Sequence, residues 1–175
     1  FSDKDKILIF YGNIRDYKGL DVLIKAMNKI EDENVKLLIT GKPWESFSEY
    51  NSIINKYNLK NKIKLFLEFQ PESRVAELFK LSDLAIFPYK EFEASSGAGA
   101  VTLNYQKPVV ITNVGGLPEL VKDKKVVAKP NDVNDLGKKI NYALKNLKKL
   151  EKESKQKAKD FAWNKIAKKT LEICR

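Results

Sequence analysis

The segment KILIFYGNIRDYKGLDVLIKAM, at positions 6–27, decides the fold because a glycine-bounded loop joins two different hydrophobic periods within it. Its first part, KILIFY, is an almost unbroken apolar run, which is typical of a strand buried on both faces of a parallel sheet. After the loop, Leu20, Leu23, Ile24 and Met27 recur at helical spacing. The segment therefore predicts a strand, a loop and an amphipathic helix, the first half of a βαβ unit.

The same alternation of short apolar runs and longer amphipathic stretches continues along the chain. Strands are predicted at 6–12, 35–40, 63–66, 108–112 and 125–128, with a further strand that ends at Pro88. Helices are predicted at 20–30, 47–57, 73–81 with Ser73 as the N-cap, 96–105 and across 133–174. The pattern predicts one α/β domain over 1–175, a Rossmann-like doubly wound parallel sheet followed by C-terminal helices. A ligand crevice is expected at the carboxyl ends of the strands.

Composition excludes several classes of function. The 175 residues are 43% hydrophobic and 32% charged, as in an ordinary globular domain. There is no histidine, which excludes His-based metal sites and Ser-His-Asp or Cys-His catalysis. With Cys174 as the single cysteine, a cytoplasmic location is predicted, and association with the inner face of the membrane stays open. Because the chain starts with Phe1 and not with methionine, it is expected to be a piece of a longer protein.

The net charge of +10 is concentrated near the C-terminus. Positions 136–175 carry 12 Lys and one Arg against four acids, whereas the rest of the chain is nearly neutral. Lysine outnumbers arginine 30 to 3, although specific recognition of bases or phosphates usually recruits arginine. Three interpretations stay open: a solvated helix surface, attraction to an anionic membrane, and nucleic-acid binding, which is the least favoured.

The loop after the first strand, GNIRDYKG at positions 12–19, carries two cations where an α/β sheet binds ligands. It matches neither the GxGxxG dinucleotide pattern nor a P-loop. Gly12 would let a ligand approach the backbone, and Gly19 opens a helix whose amino end favours an anion. Arg15 and Lys18 therefore predict an anion site, the alternative being a solvated turn with two incidental charges.

A second candidate segment is FPYKEFEASSGAGAVTLNY, at positions 87–105. It presents small side chains and free amides at a helix start, a suitable cradle for phosphate or sugar oxygens. These small residues are Ser95, Ser96, Gly97, Ala98 and Gly99. Glu93, just before them, could accept hydrogen bonds from sugar hydroxyls. The alternative is a flexible loop, and a third crevice loop with Gly115, Gly116 and Glu119 is a weaker indication.

The chain resembles one domain of a large family in three segments, which occur in this order: FYGNIRDYKGLDVLIKAM, the FPY strand end with ASSGAG, and KPVVITNVGGLPELV. The resemblance is to the C-terminal domain of retaining, nucleotide-sugar-dependent glycosyltransferases of the GT-B architecture. That group includes glycogen synthase and many mannosyl- and glucosyltransferases. The resemblance covers nearly the whole chain, and the ending FAWNKIAKKTLEI is similar to the helix with which such proteins finish.

The resemblance implies roles for individual residues. Arg15 and Lys18 would neutralise the donor's diphosphate, and Glu93 would touch the donor sugar or diphosphate. The loop 68–71 would hold the base through its backbone. The residues implied to bind substrate are Gly12, Asn13, Glu68, Phe69, Ser95, Ser96, Gly97 and Ala98. The family's second glutamate, which ordinarily binds the ribose hydroxyls, falls on Val101, and the resemblance leaves ribose contact by that route open.

The resulting hypothesis is the donor-binding domain of a metal-independent, retaining glycosyltransferase that uses a nucleotide diphosphate sugar and no cofactor. Cations with backbone amides can stabilise the leaving diphosphate in place of a metal ion. The acceptor-binding N-terminal domain would be a further part of the protein, so this chain alone is expected to be inactive. Three alternatives stay open: a noncatalytic nucleotide-binding regulatory domain, a basic nucleic-acid-binding module, and a GT-B epimerase or phosphorylase.

Overall fold

A computed structural model describes residues 2–91, 96–160, 167 and 170–173. Within these residues, parallel strands form a single sheet in the order β3-β2-β1-β4-β5-β6. The strands are β1 (Lys6–Tyr11), β2 (Val35–Thr40), β3 (Ile63–Phe66), β4 (Leu84–Phe87), β5 (Val109–Thr112) and β6 (Val127–Ala128). This strand order confirms the predicted Rossmann-like, doubly wound fold.

The helices that connect and follow the strands are α1 (Leu20–Ala26), α2 (Ser48–Lys56), α3 (Glu72–Leu81), α4 (Gly97–Asn104), α5 (Val133–Lys145) and α6 (Leu147–Asp160). Helix α1 packs against α2 and α5, and α4 packs against α6. Short 3₁₀ turns lie at Asp16–Lys18, Met27–Lys29, Lys60–Lys62, Leu117–Leu120 and Lys124–Val126. In the part of the chain described, no helix is both long enough and apolar enough to cross a membrane.

Several predicted boundaries are wrong, among them those of α3, the last strand and the first helix. Helix α3 is capped by Pro71 and not by Ser73, because the Pro71 carbonyl already accepts the Val75 N–H at 3.0 Å. The first half of the predicted strand 125–128 is a 3₁₀ turn, since the Asp123 carboxylate accepts the Lys125 N–H at 2.9 Å. The predicted helix 20–30 changes at Met27 into a 3₁₀ turn.

Burial follows the continuous apolar pattern of the strands. Leu8, Ile9 and Phe10 of β1 are fully buried, as are all residues of β4 and β5. The core therefore runs on both faces of the central strands, which is the arrangement that an all-parallel sheet requires. The helices predicted across 133–174 are confirmed as α5 and α6, which are separated at Asn146, and again at 170–173, while 161–166, 168–169 and 174 lie outside the described residues.

The strand order reverses between β1 and β4. From β1 the chain moves outward through β2 to β3 and then returns to the other side of β1. The loop after Tyr11 and the segment after Phe87 therefore diverge at neighbouring carboxyl ends, which is where doubly wound sheets open a crevice.

Candidate functional site

The loops that follow β1 and β2 are joined into one unit. The Gly12 N–H donates to the Thr40 carbonyl at 3.0 Å, and the Trp44 N–H donates to the Ile14 carbonyl at 3.1 Å. Gly41 permits this close approach, because a Cβ built on it would lie 2.0 Å from the Gly12 carbonyl oxygen and its φ is +145°. The hydrogen bonding between β1 and β2 thus continues beyond the sheet, so the loop after β1 packs against the loop after β2.

Arg15 lies on the indole ring of Trp44. Its guanidinium carbon is 3.8 Å from the ring centre, and Trp44 is 62% exposed. Arg15 forms no ion pair with the residues the structure describes. Stacking fixes the plane of the guanidinium but leaves its N–H groups and its charge available to an anion.

Lys18 is the buried cation of the crevice. Only 8% of the residue is exposed, and its ammonium nitrogen is 5.7 Å from the centre of the Tyr89 ring. A Cβ on Gly12 would lie 3.0 Å from that nitrogen, so Lys18 reaches across the first glycine of the loop. Among the described side chains, no carboxylate pairs with it. Burial, reinforced by the nearby Arg15 charge, lowers the pKa of Lys18 to about 8.

Backbone packing, a hydrogen bond and ion pairs hold the first loop against the segment that follows β4. Gly19 adopts a left-handed φ of 67°, and a Cβ there would lie 2.0 Å from the Pro88 carbonyl oxygen. The Lys90 N–H donates to the Tyr17 carbonyl at 2.7 Å. The Lys90 ammonium pairs with Asp16 at 2.6 Å and with Asp21 at 3.0 Å. Gly19 is thus required for close packing of the two segments that border the crevice.

The start of α4 faces the first loop. Ser96 is its N-cap, and the Ser96 Oγ accepts the Gly99 N–H at 3.1 Å and lies 3.2 Å from the Tyr89 hydroxyl. The Ala98 Cβ is 3.6 Å from the position that a Cβ on Gly12 would occupy, and no atom lies near a Cβ built on Gly97. Open space therefore adjoins the first turn of α4, whose amino end attracts negative charge.

The remaining predicted site residues are more dispersed. Asn13 is exposed beside Gly12, and Phe69 is 82% exposed in the loop after β3, where the Glu68 carbonyl accepts from Gln70 at 3.2 Å. Val101 is half-buried and packs on the core, so its position offers no ribose-binding group. Glu93 and Ser95 lie outside the described residues.

The sequence interpretation missed Gly41, Trp44, Tyr89 and Lys90. A bulky aromatic residue in a predicted crevice loop was a usable signal for Trp44, because such loops rarely bury their side chains. Tyr89 stood in the quoted FPY strand end and was not assigned a contact. The ion pair of Lys90 with Asp16 joins residues 74 positions apart in sequence, which no local pattern reveals.

Two other features lie outside the crevice. A cavity of about 500 Å³ lies between β3 and α3, and its lining combines apolar side chains such as Phe66 and Leu78 with charged ones such as Arg74 and Glu77. No cluster of three His, Cys, Asp or Glu side chains that could hold a metal ion occurs among the described residues.

Fold and site together define a Rossmann-like domain whose crevice, at the topological switch point, carries the cations Arg15 and Lys18. The chain belongs to the family described as "Glycosyl transferases group 1", whose model matches residues 1–161. Its fold is one half of the GT-B architecture, as the recognised sequence motifs predicted.

Known proteins similar to this chain include glycosyltransferases. Two uncharacterized glycosyltransferases of Methanocaldococcus jannaschii are 33% identical over 165 residues and 28% identical over 185 residues. These matches cover 90% and 98% of this chain but only 44% and 45% of the relatives, so the chain spans less than half their length. The structure of Anabaena HepE in complex with UDP and glucose superposes with a TM-score of 0.82 at 20% identity, covering 97% of this chain and 48% of HepE.

Proposed function

We propose that this chain is the donor-binding domain of a glycosyltransferase that transfers a sugar from a nucleoside diphosphate sugar to an acceptor. The observation that carries the proposal is Lys18, a buried cation without a described carboxylate partner, set between Gly12 and the start of α4. A buried ammonium is costly unless an anion compensates it, so the site is built for a negatively charged ligand.

The proposed chemistry is electrostatic. Breaking the glycosidic bond leaves a diphosphate with additional negative charge, which must be stabilised as it develops. Arg15 and Lys18 would each contribute about 1.5–3 kcal/mol through charge-assisted hydrogen bonds. The N–H groups of Gly97 and Ala98, at the amino end of α4, would bind the remaining phosphate oxygens.

Because these groups supply the positive charge, we propose a transfer that needs neither a metal ion nor a cofactor. Retention of anomeric configuration is proposed on the family resemblance. On the same ground, Glu93 would contact the sugar or the diphosphate, and Ser95 and Ser96 would contribute hydrogen bonds to it.

The base of the donor is proposed to lie near the exposed loop after β3, with Glu68 and Phe69, beyond Gly12 and Asn13. Since Anabaena HepE has been crystallised with UDP and glucose, UDP-sugars are the first donors to test. The acceptor is proposed to bind an N-terminal domain of the longer protein, which supplies the second wall of the cleft. This chain alone should then bind donor and transfer nothing.

A lysine stripe on α6 supports a second partner. Lys148, Lys152, Lys155 and Lys159 recur at helical spacing, are exposed, and form no ion pair with described residues. They lie opposite the buried Leu150 and Ser154. We propose that this stripe attracts the anionic surface of a membrane, each lysine adding about 1 kcal/mol near the surface. The location would then be cytoplasmic, at the inner face of the membrane.

Donor binding can be tested by saturation-transfer NMR with UDP-, GDP- and ADP-sugars in the presence of EDTA. We expect weak binding of at least one donor, with transfer of saturation to its ribose and base. Binding that appears only after addition of Mg²⁺ or Mn²⁺ would contradict the metal-independent proposal. Binding of none of the donors under either condition would favour a noncatalytic role.

A further inference from the structure

Lys90 makes two contacts with the first crevice loop and one with α1, the helix that follows it. Its N–H donates to the Tyr17 carbonyl at 2.7 Å, and its ammonium lies 2.6 Å from Asp16 and 3.0 Å from Asp21. The Lys90 and Asp21 side chains are each 20% exposed, so this is a partly buried ion pair. Although burial opposes ionisation, the Lys25 and Lys90 ammonium groups hold the pKa of Asp21 below its usual range.

The first loop and the helix it opens hold charges of both signs within a short stretch. Asp16 is the neighbour of Arg15 in sequence and is two residues before Lys18. Arg15 and Lys18 nevertheless have no described acidic partner and lie on aromatic rings. Asp16 forms its ion pair with Lys90 instead, and Asp21 forms ion pairs with both Lys90 and Lys25.

We infer that Lys90 is a positioning residue for the donor site. By pairing with the two carboxylates of this region, Asp16 and Asp21, Lys90 leaves Arg15 and Lys18 to bind the diphosphate. The inference rests on the proposed function. It assigns Lys90 no contact with substrate, only the role of a fixed countercharge that prevents an internal acid from competing with the ligand.

The competing acid would be Asp16. Its side chain is 72% exposed and is held by Lys90, so it becomes free to approach the neighbouring cations once that charge is removed. The backbone contact between Lys90 and Tyr17 does not depend on the side chain, and the Gly19–Pro88 packing is unchanged. Lys90→Met therefore changes the electrostatics of the loop while its main-chain attachment remains.

The test is the dissociation constant of UDP, measured by calorimetry for the wild-type chain, Lys90→Met, Lys90→Arg and Lys90→Met/Asp16→Asn. We expect Lys90→Met to weaken UDP binding about tenfold, the equivalent of one modest electrostatic contact. Lys90→Arg should bind like the wild type. The double variant should recover most of the loss, because neutralising Asp16 removes the competitor.

Lys145→Met is the matched control. It breaks an ion pair of similar length, Lys145 with Glu31 at 2.8 Å, away from the crevice, and should leave UDP affinity unchanged. Unaltered UDP binding in Lys90→Met would overturn the inference. So would a loss that the Asp16→Asn change does not rescue, since that result would assign Lys90 a purely structural role.

A second readout separates this inference from the proposed function. If the wild-type chain binds no nucleoside diphosphate, the proposed function fails, and the Lys18 side chain is then titrated by NMR without ligand. Lys90→Met should raise the pKa of Lys18, and the double variant should return it to its wild-type value. An unchanged pKa would overturn the role of Lys90. If Lys90→Met does not fold, Asp16→Asn alone is used, and UDP or inorganic pyrophosphate binding weaker than wild type would contradict the inference.

Discussion

The Lys18 ammonium lies 5.7 Å from the centre of the Tyr89 ring, and the hydroxyl of the same tyrosine lies 3.2 Å from the Ser96 Oγ. One buried aromatic residue thus connects the cation of the first loop to the cap of α4. Burial raises the pKa of Tyr89 to about 12, so its phenol stays protonated at neutral pH and adds no negative charge beside Lys18. The ring shields Lys18 from water without neutralising it.

We expect Lys18→Met to stabilise the unliganded chain while it weakens UDP binding. In the folded state burial lowers the pKa of Lys18 from 10.5 to about 8, so the charged form is disfavoured on folding. Removing the charge should raise the free energy of unfolding at pH 7 by about 1–3 kcal/mol. The same change should weaken UDP binding at least about tenfold. Urea unfolding and calorimetry measure the two effects.

The pH dependence of this stability difference has a definite sign. Below pH 8 Lys18 is charged in both the folded and the unfolded state, so the folded chain bears the full free-energy cost of burying the charge. Between pH 8 and 10.5 Lys18 loses its proton in the folded chain first, and this cost falls. The difference in free energy of unfolding between Lys18→Met and the wild type should therefore shrink as the pH rises from 8 to 10.5. The exposed Lys148→Met is the control and should change neither stability nor UDP affinity. A Lys18→Met chain clearly less stable than wild type at pH 7 would contradict this account of the buried charge.

Trp44→Ala should weaken UDP binding about three- to tenfold, although Trp44 itself carries no charge. The indole holds the Arg15 guanidinium at 3.8 Å, and its removal leaves a long side chain to be ordered by the ligand alone. Tyr57→Ala removes another aromatic ring with a cation near it, Lys56 at 5.8 Å, and serves as the control. Equal UDP affinity in Trp44→Ala and Tyr57→Ala would show that stacking does not organise the site.

Gly41→Ala should lower the free energy of unfolding by about 2–5 kcal/mol, because both its backbone conformation and the space around it exclude a side chain. The new Cβ would meet the Gly12 carbonyl at 2.0 Å. Gly97→Ala is the control, since no atom lies within 4 Å of a Cβ there. Urea unfolding should find Gly97→Ala as stable as wild type, and equal losses in the two variants would refute the close approach of the first two loops.

The sequence predicts this fold well because the signal is local. The mostly apolar runs Val35–Thr40 and Ile63–Phe66 are confirmed to the residue as strands, although each contains a lysine, Lys36 or Lys64. The start of α4 was also predictable, because Ser96 caps it with its own side chain. Arg15 and Lys18 could be chosen from sequence, but their partners could not. Trp44 and Tyr89 reach them from other crevice segments, whose relative placement depends on the order of the strands.

The lysine stripe of α6 should promote binding to vesicles that contain anionic lipid. Replacing Lys148, Lys152, Lys155 and Lys159 by glutamine should abolish co-sedimentation with phosphatidylserine vesicles at low salt. The matched control replaces four exposed lysines elsewhere, Lys4, Lys60, Lys64 and Lys80, and makes the same change in net charge. Equal losses in the two sets would indicate nonspecific attraction. Tight binding to RNA or DNA at physiological salt would instead favour the nucleic-acid interpretation.

The most direct test of the central claim is an NMR titration of the Lys18 side chain with and without UDP, in EDTA. In the free chain the amine should titrate near pH 8, as its burial requires. If the Lys18 ammonium holds the diphosphate, saturating UDP should shift this titration to higher pH by one unit or more, about 1.4 kcal/mol of interaction between the charged amine and the ligand. A Lys18 titration that stays at the same pH while UDP is bound would place the diphosphate elsewhere and contradict the account.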